Sequence, residues 1–198
     1  MRVSREQAAG NRAKIVDVAA RLFRERGFDG VGLDEIMREA GLTHGGFYRH
    51  FGSKEELYAE AVRHFLKKEV PERWQKGLAD ACLPDQRFAR FVVDAYLSRD
   101  HLQDVGVSCP LVGLSSDVAR SSGGVKSAYR EVAQAMVDVF KTNLKGRGAR
   151  DQAMVLVALC VGGMVLARAL DDKDLAKDFL DTAHKHALKT TGWRDGRA

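Results

Sequence analysis

Apolar residues recur at helical spacing along most of the chain. Between residues 5 and 26, Ile15, Ala19 and Leu22 follow an i, i+4, i+7 spacing, which is typical of an amphipathic helix. Gly27 follows a basic last turn, at the position where a residue of positive φ ends many helices, and an aromatic residue comes next. We therefore predict a first helix that ends just before Gly27.

Two short helical patterns follow this first helix. One covers residues 33–40 and has acidic side chains in its first turn, and the other covers residues 43–51. Gly41 and Leu42 lie between them, and Thr43 is a favourable N-cap for the second. Two helices joined by a glycine-containing turn predict a helix-turn-helix, whose second helix enters the major groove of DNA.

The rest of the chain is also predicted to be helical. Ser53 and Glu56 have the spacing of a capping box and open a helix that runs to about Glu69, before Pro71. Beyond it there is no alternating, strand-like pattern. We predict further helices at about 72–80, 85–99, 109–120, 124–145, 150–170 and 172–190, and therefore an all-α fold.

Composition and candidate chemistry exclude several classes of protein. With 198 residues, 45% of them hydrophobic and only 3 prolines, the chain is typical of a globular helical protein. The longest uncharged apolar run, Ala153 to Ala167, is shorter than the roughly 20 residues that span a membrane, and no secretory signal is recognised. We expect a cytoplasmic protein without a membrane segment. Cys82, Cys109 and Cys160 are expected to be reduced thiols. No pattern indicates an enzyme, a metal site or a cofactor.

Positive charge is concentrated near the N-terminus. The net charge is +5. Residues 1–14 carry Arg2, Arg5, Arg12 and Lys14 against one acidic residue. A basic arm of this kind is suited to a phosphate backbone.

The second helix of the helix-turn-helix has side chains that fit DNA. Gly45 and Gly46 remove side chains from its first turn and let the backbone approach the groove closely. Tyr48, Arg49 and His50 follow with polar tips suited to phosphate oxygens and base edges.

Lys54 is a further candidate for DNA contact. It lies in the first turn of the next helix, where the helix dipole disfavours a cation. A phosphate bound at this helix end would explain a lysine there. A solvated lysine is the alternative.

Two runs of sequence carry a family resemblance. Residues 27–36 and residues 40–57, with the core Tyr48-Arg49-His50-Phe51-Gly52-Ser53-Lys54, resemble the DNA-binding domain of the TetR/AcrR family of bacterial transcriptional regulators. The likeness covers about residues 10–60. Gly32 differs from it, since the family usually has Ser or Thr there.

The resemblance implies an architecture, partners and residue roles. It implies a homodimer that reads a palindromic operator in double-stranded DNA, with a DNA-binding domain at residues 1–52. Residues 53–198 would then bind a small-molecule effector and dimerise. Carried over by motif, the phosphate-contacting positions are Thr43, Tyr48, His50 and Lys54, and the groove-facing positions are His44, Gly45 and Arg49.

The C-terminal part gives less specific candidates. Aromatic and thiol residues there could line an effector pocket or simply form the core, and the candidates are Trp74, Phe88, Tyr96, Cys109 and Tyr129. The apolar helix near residues 150–170 would be a central helix of one subunit or half of a dimeric bundle with the next helix. The interface candidates are Leu159, Gly162, Gly163, Leu166, Leu175 and Phe179.

Three functions remain open at this point. The leading interpretation is a ligand-responsive transcriptional regulator that acts as a repressor and is released from a palindromic operator by a small-molecule effector. The second is a helical small-molecule-binding or thiol-based redox or electrophile-sensing protein, because Cys109 begins a predicted helix, where a thiol pKa is lowered. The third is a basic protein that coats DNA without sequence preference.

Overall fold

The computed structural model describes residues 4–70 and 86–191, and these residues form helices joined by turns and loops, with no strand among them. This confirms the predicted all-α fold. The predicted helix at 72–80, together with Trp74 and Cys82, lies outside the described residues. The α-helices are α1 (Arg5–Arg26), α2 (Leu33–Glu39), α3 (Lys54–His64), α4 (Gln86–Tyr96), α5 (Arg99–Gln103), α6 (Pro110–Gly113), α7 (Ser115–Arg120), α8 (Gly123–Thr142), α9 (Ala149–Ala169) and α10 (Lys173–Thr191).

The chain forms two compact units. Unit 1 comprises Met1–Pro71 and Gly106–Val132, and unit 2 comprises Glu72–Val105 and Ala133–Ala198. These units are defined by contacts in space. The predicted division at residue 52 separates DNA binding from effector binding and dimerisation, and it stays a prediction.

The core of unit 1 is built on the apolar face of α1. Ile15, Ala19 and Phe23 on this helix are fully buried, as are Leu57 and Val62 on α3. Helix α3 continues into a π-helical turn at Phe65–Glu69. The predicted helix from residue 53 to residue 69 is therefore continuous but changes its winding in the last turn.

The predicted helix ends in unit 1 are confirmed by their hydrogen bonds. Gly27 has a φ of +74° and donates its N–H to Phe23 O at 2.8 Å. Ser53 Oγ accepts the N–H of Glu56 at 3.1 Å. Glu56 Oε2 accepts the N–H of Gly52 at 2.8 Å, so the return bond of the capping box reaches one residue before the cap.

The second helix of the helix-turn-helix is a 3₁₀ helix, His44–Arg49, rather than an α-helix. Its bonds span three residues, with Gly46 N to Thr43 O at 2.9 Å and His50 N to Phe47 O at 2.8 Å. Two adjacent glycines weaken the α conformation by about 1 kcal/mol each, which favours the tighter winding. Thr43 lies at the predicted N-cap, but its side chain makes no capping hydrogen bond.

Two predicted boundaries in the middle of the chain were wrong. The region 101–108 was expected to be a break, yet α5 (Arg99–Gln103) occupies its beginning. The single helix expected at 109–120 is divided into α6 and α7 at Leu114, whose φ of −120° and ψ of 1° are not helical.

In unit 2, α9 and α10 pack closely against each other. The two helices approach each other closely at Gly163, because a Cβ there would lie 2.9 Å from Ala183 Cβ on α10, and it would also lie 3.4 Å from Leu97 Cδ2. Leu156, Cys160 and Met164 on α9 are fully buried. This packing covers one side of α9 only.

Helix α9 is the one described helix long and apolar enough to cross a membrane by length and composition. Only 33% of its most apolar window is buried within the chain. Core helices of other proteins pass the same test, so this is weak evidence for a span. It does establish that α9 presents an apolar surface to its surroundings.

Candidate nucleic-acid interface

The helix-turn-helix is held together by its buried aromatic side. Phe47 is fully buried and Phe51 is 2% exposed, and their rings stack at 5.6 Å. Ile36 and Met37 of α2 are fully buried as well. Gly41 makes the turn with a φ of +72°, which glycine adopts without strain. These contacts fix the orientation of the 3₁₀ helix.

The opposite side of the 3₁₀ helix faces outward. Tyr48 is 64% exposed, the largest exposure among the exposed large apolar side chains of the described residues. Thr43, His44, Gly45 and Arg49 are exposed as well. A side chain added at Gly45 would meet nothing within 4 Å. At Gly45, therefore, no side chain stands between the backbone of the 3₁₀ helix and an approaching DNA groove.

Two of the predicted contact residues, Gly46 and His50, are half-buried. A Cβ at Gly46 would lie 3.6 Å from Met37 Cε and 3.7 Å from Thr43 Oγ1. Gly46 therefore lies on the side of the 3₁₀ helix that packs against α2.

His44 is engaged with α2. Its Nδ1 lies 2.5 Å from Asp34 Oδ1, and its ring contacts the Tyr48 ring edge to face at 6.3 Å. Asp34 is itself highly exposed. The predicted base-reading side chain is thus oriented by an acidic neighbour.

Lys54 is directed toward the turn that follows α1. Its Nζ donates a hydrogen bond to Phe28 O at 2.5 Å and lies 4.3 Å from the centre of the Phe28 ring. Partial burial lowers the pKa of Lys54, while Asp29 opposes this shift. The carbonyl and the ring stabilise a cation at a helix end that would otherwise disfavour it.

The basic arm is divided between exposed and paired side chains. Arg5 and Lys14 are exposed, whereas Arg2 lies outside the described residues. Arg12 forms an ion pair with Glu60 and lies 4.3 Å above the Phe51 ring. Arg12 therefore braces α1 against α3 and the end of the helix-turn-helix.

The predicted pocket residues are distributed over both units. In unit 2, Phe88 is half-buried and Tyr96 is 6% exposed. In unit 1, Cys109 is 4% exposed, and Tyr129 donates its hydroxyl to Leu111 O at 3.1 Å. Burial raises the pKa of Tyr129 to about 12, with a smaller contribution from Cys109. The effector pocket itself stays a prediction.

The predicted interface residues of α9 and α10 fall into three groups. Leu166, Leu175 and Phe179 are exposed by 46%, 43% and 36%. Leu159 and Gly162 are half-buried. Gly163 is buried, and a Cβ there would lie 2.9 Å from Ala183 Cβ on α10, so packing within the chain already accounts for its small size.

Sequence reasoning missed several residues that the structure brings forward. Met154 and Val155, at 40% and 46% exposure, extend the apolar surface of α9, and the apolar character of this helix on all sides could have indicated them. Asp117 and Arg24 make polar contacts between distant parts of unit 1, for which the sequence holds no signal. Among the described residues, no group of three or more His, Cys, Asp or Glu is arranged to hold a metal ion.

Comparison with known proteins finds similarity to a family of regulators. Residues 15–61 match the family described as bacterial regulatory proteins, tetR family. The transcriptional regulator LmrA of Bacillus subtilis is 29% identical over 79% of this chain and 86% of its own length. The transcriptional repressor KstR2 of Rhodococcus jostii is 41% identical over 29% of this chain and 28% of its own length.

A solved structure shows the same fold. The TetR-family regulator of Cytophaga hutchinsonii is 16% identical, and it covers 100% of both chains with a TM-score of 0.75. The names of these relatives agree with the expectation of a regulator rather than an enzyme. Residues 15–61 thus match a DNA-binding domain of the tetR family, and the chain as a whole resembles transcriptional regulators of that family.

Proposed function

We propose that this regulator is a homodimeric repressor that binds a palindromic operator and is released from it by a small-molecule effector. The observation that carries the proposal is the outward side of the 3₁₀ helix, where Tyr48 and Arg49 are exposed and Gly45 has open space around it. The name of the matched relative KstR2 as a repressor supports the direction of regulation.

The residues of this surface divide into two roles. Tyr48 and Lys54, with Thr43 and His50, bind phosphate oxygens and set the position of the protein on the duplex. Arg49 and His44 face the groove and read base edges, and Gly45 allows the close approach that this requires.

Dimerisation uses the exposed apolar surface of α9 and α10. Leu166, Leu175 and Phe179 are large apolar side chains that are more than a third exposed in a single copy. Exposed apolar surface of this kind marks an interaction site. A two-fold dimer through this surface would present two 3₁₀ helices to operator half-sites one helical turn, or a multiple of it, apart.

The effector acts by shifting a population of conformations. It binds within residues 53–198 and favours the state in which the two 3₁₀ helices do not fit successive grooves. A preference of about 3 kcal/mol for that state lowers operator affinity about a hundredfold. Helix α3 is the natural route, because it begins at the DNA-contacting end and continues through the π-helical turn.

The division of roles is tested by titrating variants against a set of operator sequences. We expect Tyr48→Phe and Lys54→Ala to weaken binding to all sequences, and Lys54→Ala to reduce the slope of log K against log salt by about 1. His44→Ala and Arg49→Ala should instead change the sequence preference. An equal loss on all operator variants for all four substitutions would contradict the division.

The dimer is tested by sedimentation equilibrium. Leu166→Glu and Phe179→Glu should each shift the protein to monomers, because a charge cannot be buried in an apolar interface without a partner. Val105→Glu is the matched control, since Val105 is also an exposed apolar residue of unit 2, at 38% exposure. Dimers that persist in both α9 and α10 variants would refute this interface.

The effector is tested by release of labelled operator from the dimer on addition of small molecules. We expect a releasing compound to bind the DNA-free dimer more tightly than the operator complex by the same factor as it weakens DNA binding. A compound bound with equal affinity in both states would not be an effector.

A further inference from the structure

Residues 106–132, here called the return segment, hold the C-terminal end of α1. They belong to unit 1 together with the DNA-binding helices. Arg24 Nε donates to Gly106 O at 2.8 Å, and the N–H of Phe28 donates to Asp117 Oδ2 at 2.8 Å. Two hydrogen bonds four residues apart therefore join the end of α1 to the return segment.

The first contact is buried. Arg24 is 5% exposed, and its Nη2 donates to Glu69 Oε1 in the π-helical turn at 2.9 Å. A buried guanidinium needs all of its partners, because an unpaired buried charge is strongly unfavourable. Arg24 thus fixes the spacing between α1, the π-helical turn and the beginning of the return segment.

The second contact depends on glycine at position 27. A Cβ at Gly27 would lie 2.7 Å from Asp117 Oδ2, a distance at which something must move. Asp117 is itself fixed, since its other oxygen accepts a bond from Arg120 at 2.8 Å and its side chain is only 19% exposed. The carboxylate therefore reaches the Phe28 amide only because Gly27 leaves room for it.

Phe28 is held from its other side by Lys54. While Asp117 binds the N–H of Phe28, Lys54 Nζ binds its carbonyl oxygen at 2.5 Å and lies over its ring. The Phe28 ring also packs on Tyr58 at 4.9 Å. Phe28 is thus a single link between the return segment and the first turn of α3.

Lys54 keeps binding capacity in this arrangement. An ammonium group has three N–H donors, and the bond to Phe28 O uses one of them. The two that remain stand at the N-terminal end of an α-helix, where a phosphate is favoured. Holding the ammonium in place beforehand lowers the entropy lost when a phosphate binds.

We propose that Asp117 is a positioning residue for DNA binding: it fixes Phe28, and Phe28 in turn fixes Lys54 for a phosphate contact. The proposal rests on the proposed function in that it takes Lys54 as a phosphate-binding residue. It adds a route from the return segment to the DNA-contacting end of α3 that runs through the turn after α1. Movement of Asp117 away from Phe28 releases Lys54 and weakens DNA binding without any change in the 3₁₀ helix.

The test is a double-mutant cycle between Asp117 and Lys54, read out by DNA affinity. Lys54→Ala should weaken binding of the otherwise unchanged protein about tenfold, as expected for the loss of one charge-assisted hydrogen bond. In the Asp117→Ala background the same substitution should weaken binding about twofold or less. The matched cycle between Asp117 and Arg49 should be additive, because Arg49 is not held through Phe28.

A second readout requires no DNA. Amide hydrogen exchange of Phe28, followed by NMR in the intact protein, should be at least about tenfold faster in Asp117→Ala. The increase should be smaller in Arg120→Met, which removes one of the contacts that fix Asp117 but leaves the acceptor for Phe28 N–H in place. If Asp117→Ala does not fold, Asp117→Leu, which fills the space of the carboxylate but has no acceptor for the Phe28 N–H, is used in both experiments.

The outcomes separate this inference from the proposed function. The cycle is measured on an unrelated duplex at low salt as well as on the operator fragment, so it does not depend on sequence preference. Additive effects of Asp117 and Lys54 on both DNAs, or unchanged exchange at Phe28, would overturn the positioning role. A lack of preference for any operator, with the cycle still non-additive, would instead overturn the proposed operator-specific function and leave the positioning role supported.

Discussion

Replacing Gly27 by alanine is expected to destabilise the protein for two separable reasons. The first is the backbone, because Gly27 has a φ of +74° and a ψ of 175°, a region almost restricted to glycine. For other residues such strain amounts to about 1–3 kcal/mol. The second is the new Cβ, which would lie 2.7 Å from Asp117 Oδ2 and displace the carboxylate from the Phe28 amide.

The second contribution can be estimated from the bond that is lost. A hydrogen bond to a charged group contributes about 1.5–3 kcal/mol. We therefore expect Gly27→Ala to lower the free energy of unfolding by roughly 4 kcal/mol in the natural background. In the Asp117→Ala background only the backbone contribution remains, and the loss should fall to about 1–3 kcal/mol.

Gly41→Ala provides the matched control. Gly41 also has a positive φ, +72°, but a Cβ there would meet nothing within 4 Å. It should lower the free energy of unfolding by about 1–2 kcal/mol, and by the same amount with or without the Asp117 carboxylate. The assay is urea unfolding followed by far-UV circular dichroism at one protein concentration. A loss for Gly27→Ala that is equal in both Asp117 backgrounds would refute the reasoning.

Three further predictions concern packing, pH and thiol chemistry. Gly163→Ala should lower the free energy of unfolding by about 1–3 kcal/mol, because its Cβ would lie 2.9 Å from Ala183 Cβ. Gly162→Ala should cause no such loss, because a Cβ at Gly162 would meet nothing within 4 Å in one copy. Equal effects of the two substitutions in urea unfolding would contradict the packing of α9 on α10. Burial raises the pKa of Tyr129 from 10.0 to about 12, so the phenol loses its proton at lower pH in the unfolded chain than in the folded protein. The free energy of unfolding should therefore fall as the pH rises from about 10 to about 12. This fall should be smaller in Tyr129→Phe. Because Cys109 is only 4% exposed, iodoacetamide should alkylate it slowly in the native protein. The Cys109→Ser variant should bind DNA with unchanged affinity. Rapid alkylation of the native protein with loss of DNA binding would favour the thiol-sensing alternative.

Features determined by neighbouring residues could be predicted from the sequence. The end of α1 at Gly27 and the start of α3 at Ser53 follow from local capping rules, and both are confirmed. The winding of residues 44–49 was not predictable, because the period of the pattern is nearly the same for a short 3₁₀ and a short α-helix. The glycines pointed to a functional surface but not to its winding.

Contacts between distant residues could not be predicted. Asp117 lies 89 residues from Phe28 in sequence, and an aspartate near a helix start gives no sign of such a partner. The hydrogen bond from the Lys54 ammonium to Phe28 O spans 26 residues of sequence and could not be predicted either. The difference between Gly162 and Gly163 could not be predicted either. A Cβ at Gly163 would meet α10, whereas a Cβ at Gly162 would meet nothing within 4 Å, and only the position of the neighbouring helix shows this.

Sequence-specific DNA binding by the 3₁₀ helix is the central claim, and one titration tests it most directly. The purified protein is titrated against labelled DNA from immediately upstream of its own gene, with an unrelated fragment as competitor, at several salt concentrations. We expect two chains to bind each operator, with an affinity for the upstream fragment at least about a thousandfold above that for the competitor. Equal affinity for both fragments, with the same salt dependence, would leave only the electrostatic attraction of a basic protein and would contradict the claim.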